Sequence, residues 1–258
     1  MRPTPARTAR HLLGLGIVLA IWETGSRSGL VSASYLPPPT VVTARMAQLL
    51  TDGGFLADAV STLLSWAIAL VCATAAGVGL GILVTGVAAL RILVPPLVEF
   101  LRPLPTVALI PLAVVVLGTG SQIKITLAAL AATWPTLLTT VHALHSIDSV
   151  QLDTARVYRT PRVHVLLALT LPAIAPALLT GIRLAASITV IVVVGTEFLT
   201  GGTIGLGQFA YVQGSLSGRM DLVLATTAIV TLLYCAVDGA LLAVQRRTMP
   251  WAVRTEAP

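Results

Sequence analysis

Charge is scarce in this chain. Of its 258 residues only 10% are Asp, Glu, Lys or Arg, against about 25% in a soluble domain, while 56% are hydrophobic. A surface so poor in charge excludes water as the main solvent and leaves lipid. The sole lysine, Lys124, sits between Ile123 and Ile125, which excludes a phosphate-cradling loop of the Gly-x-x-x-x-Gly-Lys-Ser/Thr type. The two cysteines, Cys72 and Cys235, lie inside apolar stretches, so a disulfide framework is excluded and both read as small core residues. Repeated short segments of alternating polarity are missing, which excludes a closed barrel. No serine or cysteine has the sequence context of a hydrolase nucleophile, so the chain is not expected to be an enzyme.

What is present is a succession of long apolar runs. A spanning helix needs about 20 mostly apolar residues, and six runs qualify, near 11–22, 55–85, 92–117, 123–144, 172–199 and 222–244. The expected fold is an all-α integral membrane protein with about six transmembrane helices, one permease-like domain over 1–258. The first run follows Arg2, Arg7 and Arg10, and with Ser32-Ala33-Ser34 behind it the pattern also fits a signal peptide. A retained first helix is the preferred reading, because the rest of the chain is itself membrane-embedded. Tyr35-Leu36-Pro37-Pro38-Pro39 then breaks any helix, and 40–50 reads as a short amphipathic helix at the interface. In the second run Ala75, Ala76, Gly77, Gly79 and Gly81 cluster, which predicts close helix packing there.

The third run holds Pro95, Pro96, Pro103, Pro105 and Pro111. Each proline removes a backbone donor, so this run is expected to face the bundle interior, where protein or a polar path satisfies the freed carbonyls. With the N-terminus inside and six spans, cytoplasmic segments hold Arg2, Arg7, Arg10, Arg91, Arg156, Arg159, Arg162, Arg246, Arg247 and Arg254. External segments hold Arg27, Arg45, Lys124 and Arg219. Ten against four obeys the positive-inside rule and puts both termini in the cytoplasm. The net charge of +6 then calls for no nucleic acid.

Ionisable residues inside the apolar runs are Glu99, Arg102, Arg183, Glu197 and Asp238. Such groups are costly in lipid and usually face a polar path or pair with one another. Glu99 and Asp238 lie near span ends and can simply reach water. Arg183 and Glu197, nearly four turns apart on one helix, cannot pair directly. His142, His145 and Asp148 share a helical face, but at the end of a span polar residues are expected anyway, and no metal is assigned. Pro103, Pro105, Pro111, Trp134, Arg183 and Glu197 are the residues expected to line a pathway or hold a helix interface.

Between the fourth and fifth runs lies a long cytoplasmic excursion, 146–171. It reads as two short helices. Gln151-Leu152-Asp153-Thr154-Ala155-Arg156-Val157-Tyr158 is ended by Thr160-Pro161, and Pro161 opens a second helix over 162–169. Asp153-Thr154-Ala155, three residues, Arg159, eleven residues and Leu171-Pro172 resemble the Glu-Ala-Ala, Gly, Leu-Pro pattern of permease subunits of binding-protein-dependent ABC importers. Thr154 and Arg159 depart from it. The rest of the chain is similar to the nitrate, sulfonate and taurine branch of that family. The similarity runs through Tyr35-Leu36-Pro37-Pro38-Pro39, Arg102-Pro103-Leu104-Pro105, Leu109-Ile110-Pro111-Leu112, Leu117-Gly118-Thr119-Gly120, Leu171-Pro172-Ala173, Thr180-Gly181-Ile182-Arg183-Leu184, Glu197 and Gly205-Leu206-Gly207.

The resemblance implies a type I ABC importer permease bundle, working as a homodimer in the cytoplasmic membrane. It also implies two ATPase subunits docked on the 146–171 loop, which bind the ATP and Mg that this chain does not. An extracellular or periplasmic binding protein would deliver a small organic or inorganic anion or a neutral vitamin precursor. Asp153, Thr154, Ala155, Arg156, Arg159, Thr160, Pro161, Leu171 and Pro172 would form the coupling element. Because a side chain in the left-handed region costs about 1 kcal/mol or more, Arg159 is expected to avoid the geometry of the family glycine and to stay exposed. The alternative class is a membrane scaffold or a secondary transporter driven by an ion gradient. The latter usually shows an internal repeat with paired broken helices, and the proline-rich third run has no counterpart in the second half.

Overall fold

The computed structural model describes residues 5–101, 106–201 and 204–249, and these are almost entirely helical. In chain order they form α1 (Pro5–Arg27), α2 (Pro39–Leu49), α3 (Gly53–Gly86), α4 (Ala88–Leu101), a 3-10 turn (Thr106–Leu109), α5 (Ile110–Leu117), α6 (Ser121–His145), α7 (Ser149–Val157) and α8 (Arg162–Val165). A π-helical turn (Leu166–Thr170) leads into α9 (Leu171–Thr200), followed by α10 (Leu206–Tyr211), a second π turn (Val212–Leu216) and α11 (Met220–Thr248). Among the described residues, four helices are long and apolar enough to cross a membrane unaided: Gly53–Gly86, Ser121–His145, Val163–Thr200 and Met220–Thr248.

Their ends follow from local chemistry. Asp52 caps α3 by accepting the Phe55 N–H at 2.9 Å, and Asp148 caps α7 by accepting that of Val150 at 2.9 Å. Pro39 opens α2 where its missing N–H is no loss. The helix α2 lies where the interfacial helix is expected, and Arg45 ties it to Asp221 at the start of α11.

The bundle centre is made by α3, α6 and α9, each presenting a buried stripe of residues four apart. On α6 the stripe is Lys124, Ala128, Ala132, Thr136 and Thr140; on α9 it is Gly181, Ala185, Thr189, Val193 and Glu197; on α3 it is Ala69, Ala73, Gly77 and Gly81. Residues spaced by four form a ridge inclined to the helix axis, so helices packed by such ridges cross and wrap around one another. Their small side chains bring the backbones close. A Cβ on Gly77 would lie 2.6 Å from Thr136 Cβ, one on Gly81 2.7 Å from Thr140 Cβ, and one on Gly181 2.8 Å from Thr139 Cγ2. The predicted packing of the second run is therefore present, but selectively: Gly79 has open space, and Ala75 and Ala76 are exposed.

These contacts also give direction. The N-terminal halves of α3 and α6 lie together, as do their C-terminal halves, so the two are parallel, with α9 antiparallel to both. The intervening chain must cross back, and it does so as α4, the 3-10 turn and α5. The third run is thus a broken crossing and not one helix from 92 to 117: α4 carries Pro95 and Pro96 within it and reaches Leu101, and a new helix, α5, starts at Ile110 with Pro111 in its first turn, where the missing N–H is no loss. Pro103 and Pro105, with Arg102 and Leu104, lie outside the described residues. With the 23-residue α1, the arrangement fits about six crossings. Cys72 and Cys235 are free thiols, but both are exposed on the outside of the bundle and neither is a core residue. An apolar environment exists on either side of a helix in lipid, so hydrophobicity alone does not choose the face.

Candidate functional site

Two features stand out, at opposite ends of the bundle. At the end where α6 stops, α7 projects as an exposed short helix. Asp153 pairs with Arg156 at 2.7 Å on its open surface, and Thr154 Oγ1 donates to the Val150 carbonyl at 2.7 Å. The turn that follows corrects the expectation for Arg159. Its φ is 47°, squarely left-handed. Thr160 N–H donates to the Ala155 carbonyl and Arg159 N–H to that of Arg156, both at 3.0 Å. This six-to-one and five-to-two pair is a Schellman cap, the usual way of satisfying the last carbonyls of a helix. Two hydrogen bonds, at about 1 kcal/mol each, offset the cost of a side chain in that region. Arg159 itself is exposed, as expected.

Pro161 opens the next helix, accepting the Val165 N–H at 3.0 Å. That helix is not a separate short element over 162–169. It runs through the π turn into α9, so that Val163–Thr200 is one helix of 38 residues. Pro172 has no N–H to give and its ring would collide with a carbonyl of the preceding turn in a regular helix. The π turn just before it, closed by Leu171 N–H on the Leu166 carbonyl, lets the helix pass Leu171-Pro172 unbroken. Beneath α7 an open groove is lined by Leu152, Ala155, Arg156, Thr160, Leu166 and Thr170. On the outer side Val157 and Tyr158 are each 79% exposed, Val163 is 67% and Val150 66%. These exposed apolar side chains share the segment from α7 to α8 with the exposed Arg156 and Arg159.

At the other end Glu197 is wholly buried, and so is Lys124, whose ammonium lies 2.6 Å from Glu197 Oε1. Lys124 was expected in an external segment; it is instead the first residue of the buried α6 stripe. Thr62 Oγ1 reaches both Glu197 oxygens at 3.0 Å, and the Gly207 N–H donates to Oε2 at 3.0 Å. Arg183 does not approach Glu197. It makes a two-pronged pair with Asp238 of α11, 2.8 Å at each prong, with Ser187 and Tyr234 hydrogen-bonded one turn further on. Trp134 is half-buried on α6, and Pro111 is exposed at the start of α5.

Sequence reasoning missed Lys124, Ser61, Thr62 and the partner of Arg183. A usable signal existed for the first: a lone lysine placed four, eight, twelve and sixteen residues before Ala128, Ala132, Thr136 and Thr140 falls on a stripe too small-sided to face lipid.

A bundle of helices long and apolar enough to cross a membrane, with a short exposed helix projecting at one end, defines an integral membrane protein. The chain belongs to the binding-protein-dependent transport system inner membrane component family, whose profile matches residues 77–250. It is 30% identical over 243 residues to the taurine transport system permease protein of Escherichia coli (strain K12), covering 92% of this chain and 87% of that one. It is 29% identical over 228 residues to the bicarbonate transport system permease protein of Synechococcus elongatus, with 83% and 80% covered. The putative aliphatic sulfonates transport permease protein of Bacillus subtilis is 25% identical over 242 residues, 94% of this chain and 87% of that. Among solved structures, an inward-facing form of the MetNI methionine ABC transporter superposes with a TM-score of 0.62 at 22% identity, over 75% of this chain and 95% of that chain. That likeness shows a shared type I importer permease fold.

Proposed function

We propose that the chain is the solute-conducting subunit of an ATP-driven importer, acting as a homodimer with two separate ATPase subunits on the α7 elbow. A binding protein delivers solute at the opposite, external end. ATP and Mg belong to the ATPase, and this chain carries no catalytic residue. The observation that carries the reading is the mechanical continuity of the elbow. The Schellman cap at Arg159 closes the end of α7 two residues before Pro161 opens α8, and α8 is continuous with α9 through the 38 residues Val163–Thr200, about 57 Å at 1.5 Å per residue. An ATPase that grips α7 and closes on ATP therefore moves a helix spanning the whole bundle, which is how two packed states are exchanged by a rigid lever.

The solute class follows the relatives: a small organic or inorganic anion such as nitrate, a sulfonate or taurine, or a neutral vitamin precursor. Pro111, Trp134, Arg183 and Glu197 are assigned to the pathway or to the helix interfaces that shape it, as are Pro103 and Pro105 by position in sequence. Asp153, Thr154, Ala155, Arg156, Arg159, Thr160, Pro161, Leu171 and Pro172 form the coupling element. Both termini face the cytoplasm.

The test is accessibility with partner protection. A cysteine at Gln151, in a background lacking Cys72 and Cys235, should react with an impermeant thiol reagent only from the cytoplasmic side, and the ATPase should shield it. One at Ser217, an exposed position at the end of the second π turn, should react only from outside. Labelling of both from one side, or no shielding at Gln151, contradicts the assignment.

A further inference from the structure

The Lys124 ammonium does more than neutralise Glu197. Its three protons are fully used: on Glu197 Oε1 at 2.6 Å, on the Ile204 carbonyl at 2.7 Å and on Ser61 Oγ at 3.2 Å. Ser61 Oγ itself donates to the same Ile204 carbonyl at 2.9 Å. The Leu206 N–H donates to Thr62 Oγ1 at 2.9 Å, and the Gly207 N–H to Glu197 at 3.0 Å. Every one of these loop groups lands on a residue of the same cluster, contributed by α3, α6 and α9.

Two glycines make this fit possible. A Cβ on Gly205 would lie 2.2 Å from Glu197 Cδ, and one on Gly207 2.2 Å from the Val194 carbonyl. The backbone of 204–207 therefore lies directly on the carboxylate, closer than any side chain allows. A strut between two helices needs none of these loop contacts, and apolar residues of like volume serve such a purpose as well or better.

We infer that Lys124 is a positioning residue: with Glu197 it clamps the segment 204–207 onto α3, α6 and α9 and so holds the external end of the permease shut. The direction rests on the importer reading; the clamp does not. Hydrogen bonds to buried charged groups are the strong ones, so the segment opens as a unit when they are lost.

The reporter is Ala210→Cys, a buried position one turn after the clamp, in a full complex lacking Cys72 and Cys235. Its reaction with an impermeant maleimide is timed in nanodiscs without ATP or solute, so failure of the importer assignment does not affect the reading. Thr62→Val removes the Leu206 acceptor without adding charge and should speed labelling about tenfold or more. Exchanging the charges, Lys124→Glu with Glu197→Lys, restores an ion pair between helices but supplies neither a donor for Ile204 nor an acceptor for Gly207. That complex should assemble and still label fast. Parent-rate labelling in Thr62→Val, or in the exchanged pair, overturns the clamp and leaves Lys124 a helix strut; if the exchanged pair does not assemble, Thr62→Val alone decides.

Discussion

Arg183 and Asp238 meet 55 residues apart in sequence as a two-pronged ion pair, each prong 2.8 Å, that joins α9 to α11. A guanidinium matches a carboxylate in this way and an ammonium does not. Both side chains retain a little under a third of their exposure. Arg183→Lys should therefore lower the melting temperature of the purified complex modestly, by about 1 kcal/mol or less of stability. Arg183→Ala should cost more, because it strands Asp238 at membrane depth, and a second change Asp238→Asn should recover part of the loss. A melting temperature insensitive to all three shows that the pair ties nothing together.

The contact of α3 with α6 predicts a position-specific response to the smallest side chain. Gly77→Ala and Gly81→Ala each force a methyl to within 2.8 Å of a threonine side chain on α6, and overpacking of this kind costs about 1–3 kcal/mol. Gly79→Ala meets open space and should be neutral. Fluorescence-detected gel filtration of the three variants measures the difference, and equal yields contradict the assigned interface.

Because Lys124 and Glu197 are both fully buried, either one alone is more damaging than both together. Glu197→Ala or Lys124→Met leaves an uncompensated charge and should cost roughly 3–5 kcal/mol, seen as loss of folded protein. Combining Lys124→Met with Glu197→Gln removes both charges and should return much of the yield. A double variant whose loss is the sum of the two single losses shows that the two residues act independently.

The left-handed Arg159 separates backbone from side chain. Arg159→Gly keeps the Schellman cap and relieves the strain, so the loop should be as stable as before or more so by up to about 1 kcal/mol. Arg159→Val should destabilise it, since β-branching suits that region worst. Arg159→Glu preserves neither the charge nor its complement; with Arg156 nearby, ATPase co-purification should weaken, more visibly at low salt. Unchanged co-purification for Arg159→Glu makes the side chain a solvated bystander.

What the sequence showed and what it hid divide by range. Apolar runs of spanning length, the short helix behind Pro37-Pro38-Pro39 and the stop at Thr160-Pro161 are local properties of chain stiffness and solubility, and they were readable. The partner of Lys124 was not, because a lone cation near a span end satisfies water and a buried acid equally well until the helices are packed. Arg159 was misjudged for a related reason: propensity weighs the residue, whereas the turn is decided by two carbonyls, of Ala155 and Arg156, that need donors. A loop helix over 162–169 and a separate run from 172 were expected, yet a π turn carries one helix past Leu171-Pro172. The exposed Cys72 and Cys235 show the limit of hydropathy in a protein whose outside is as apolar as its core.

In the importer proposed above, the chain conducts solute only when an ATPase moves the α7 elbow. Uptake into proteoliposomes containing the chain with its ATPase, the binding protein outside and ATP inside, measures this. The expected result is accumulation of solute that requires both ATP and the binding protein and disappears in a variant lacking 149–157. Uptake by the chain alone, driven by an ion gradient and indifferent to ATP, contradicts it.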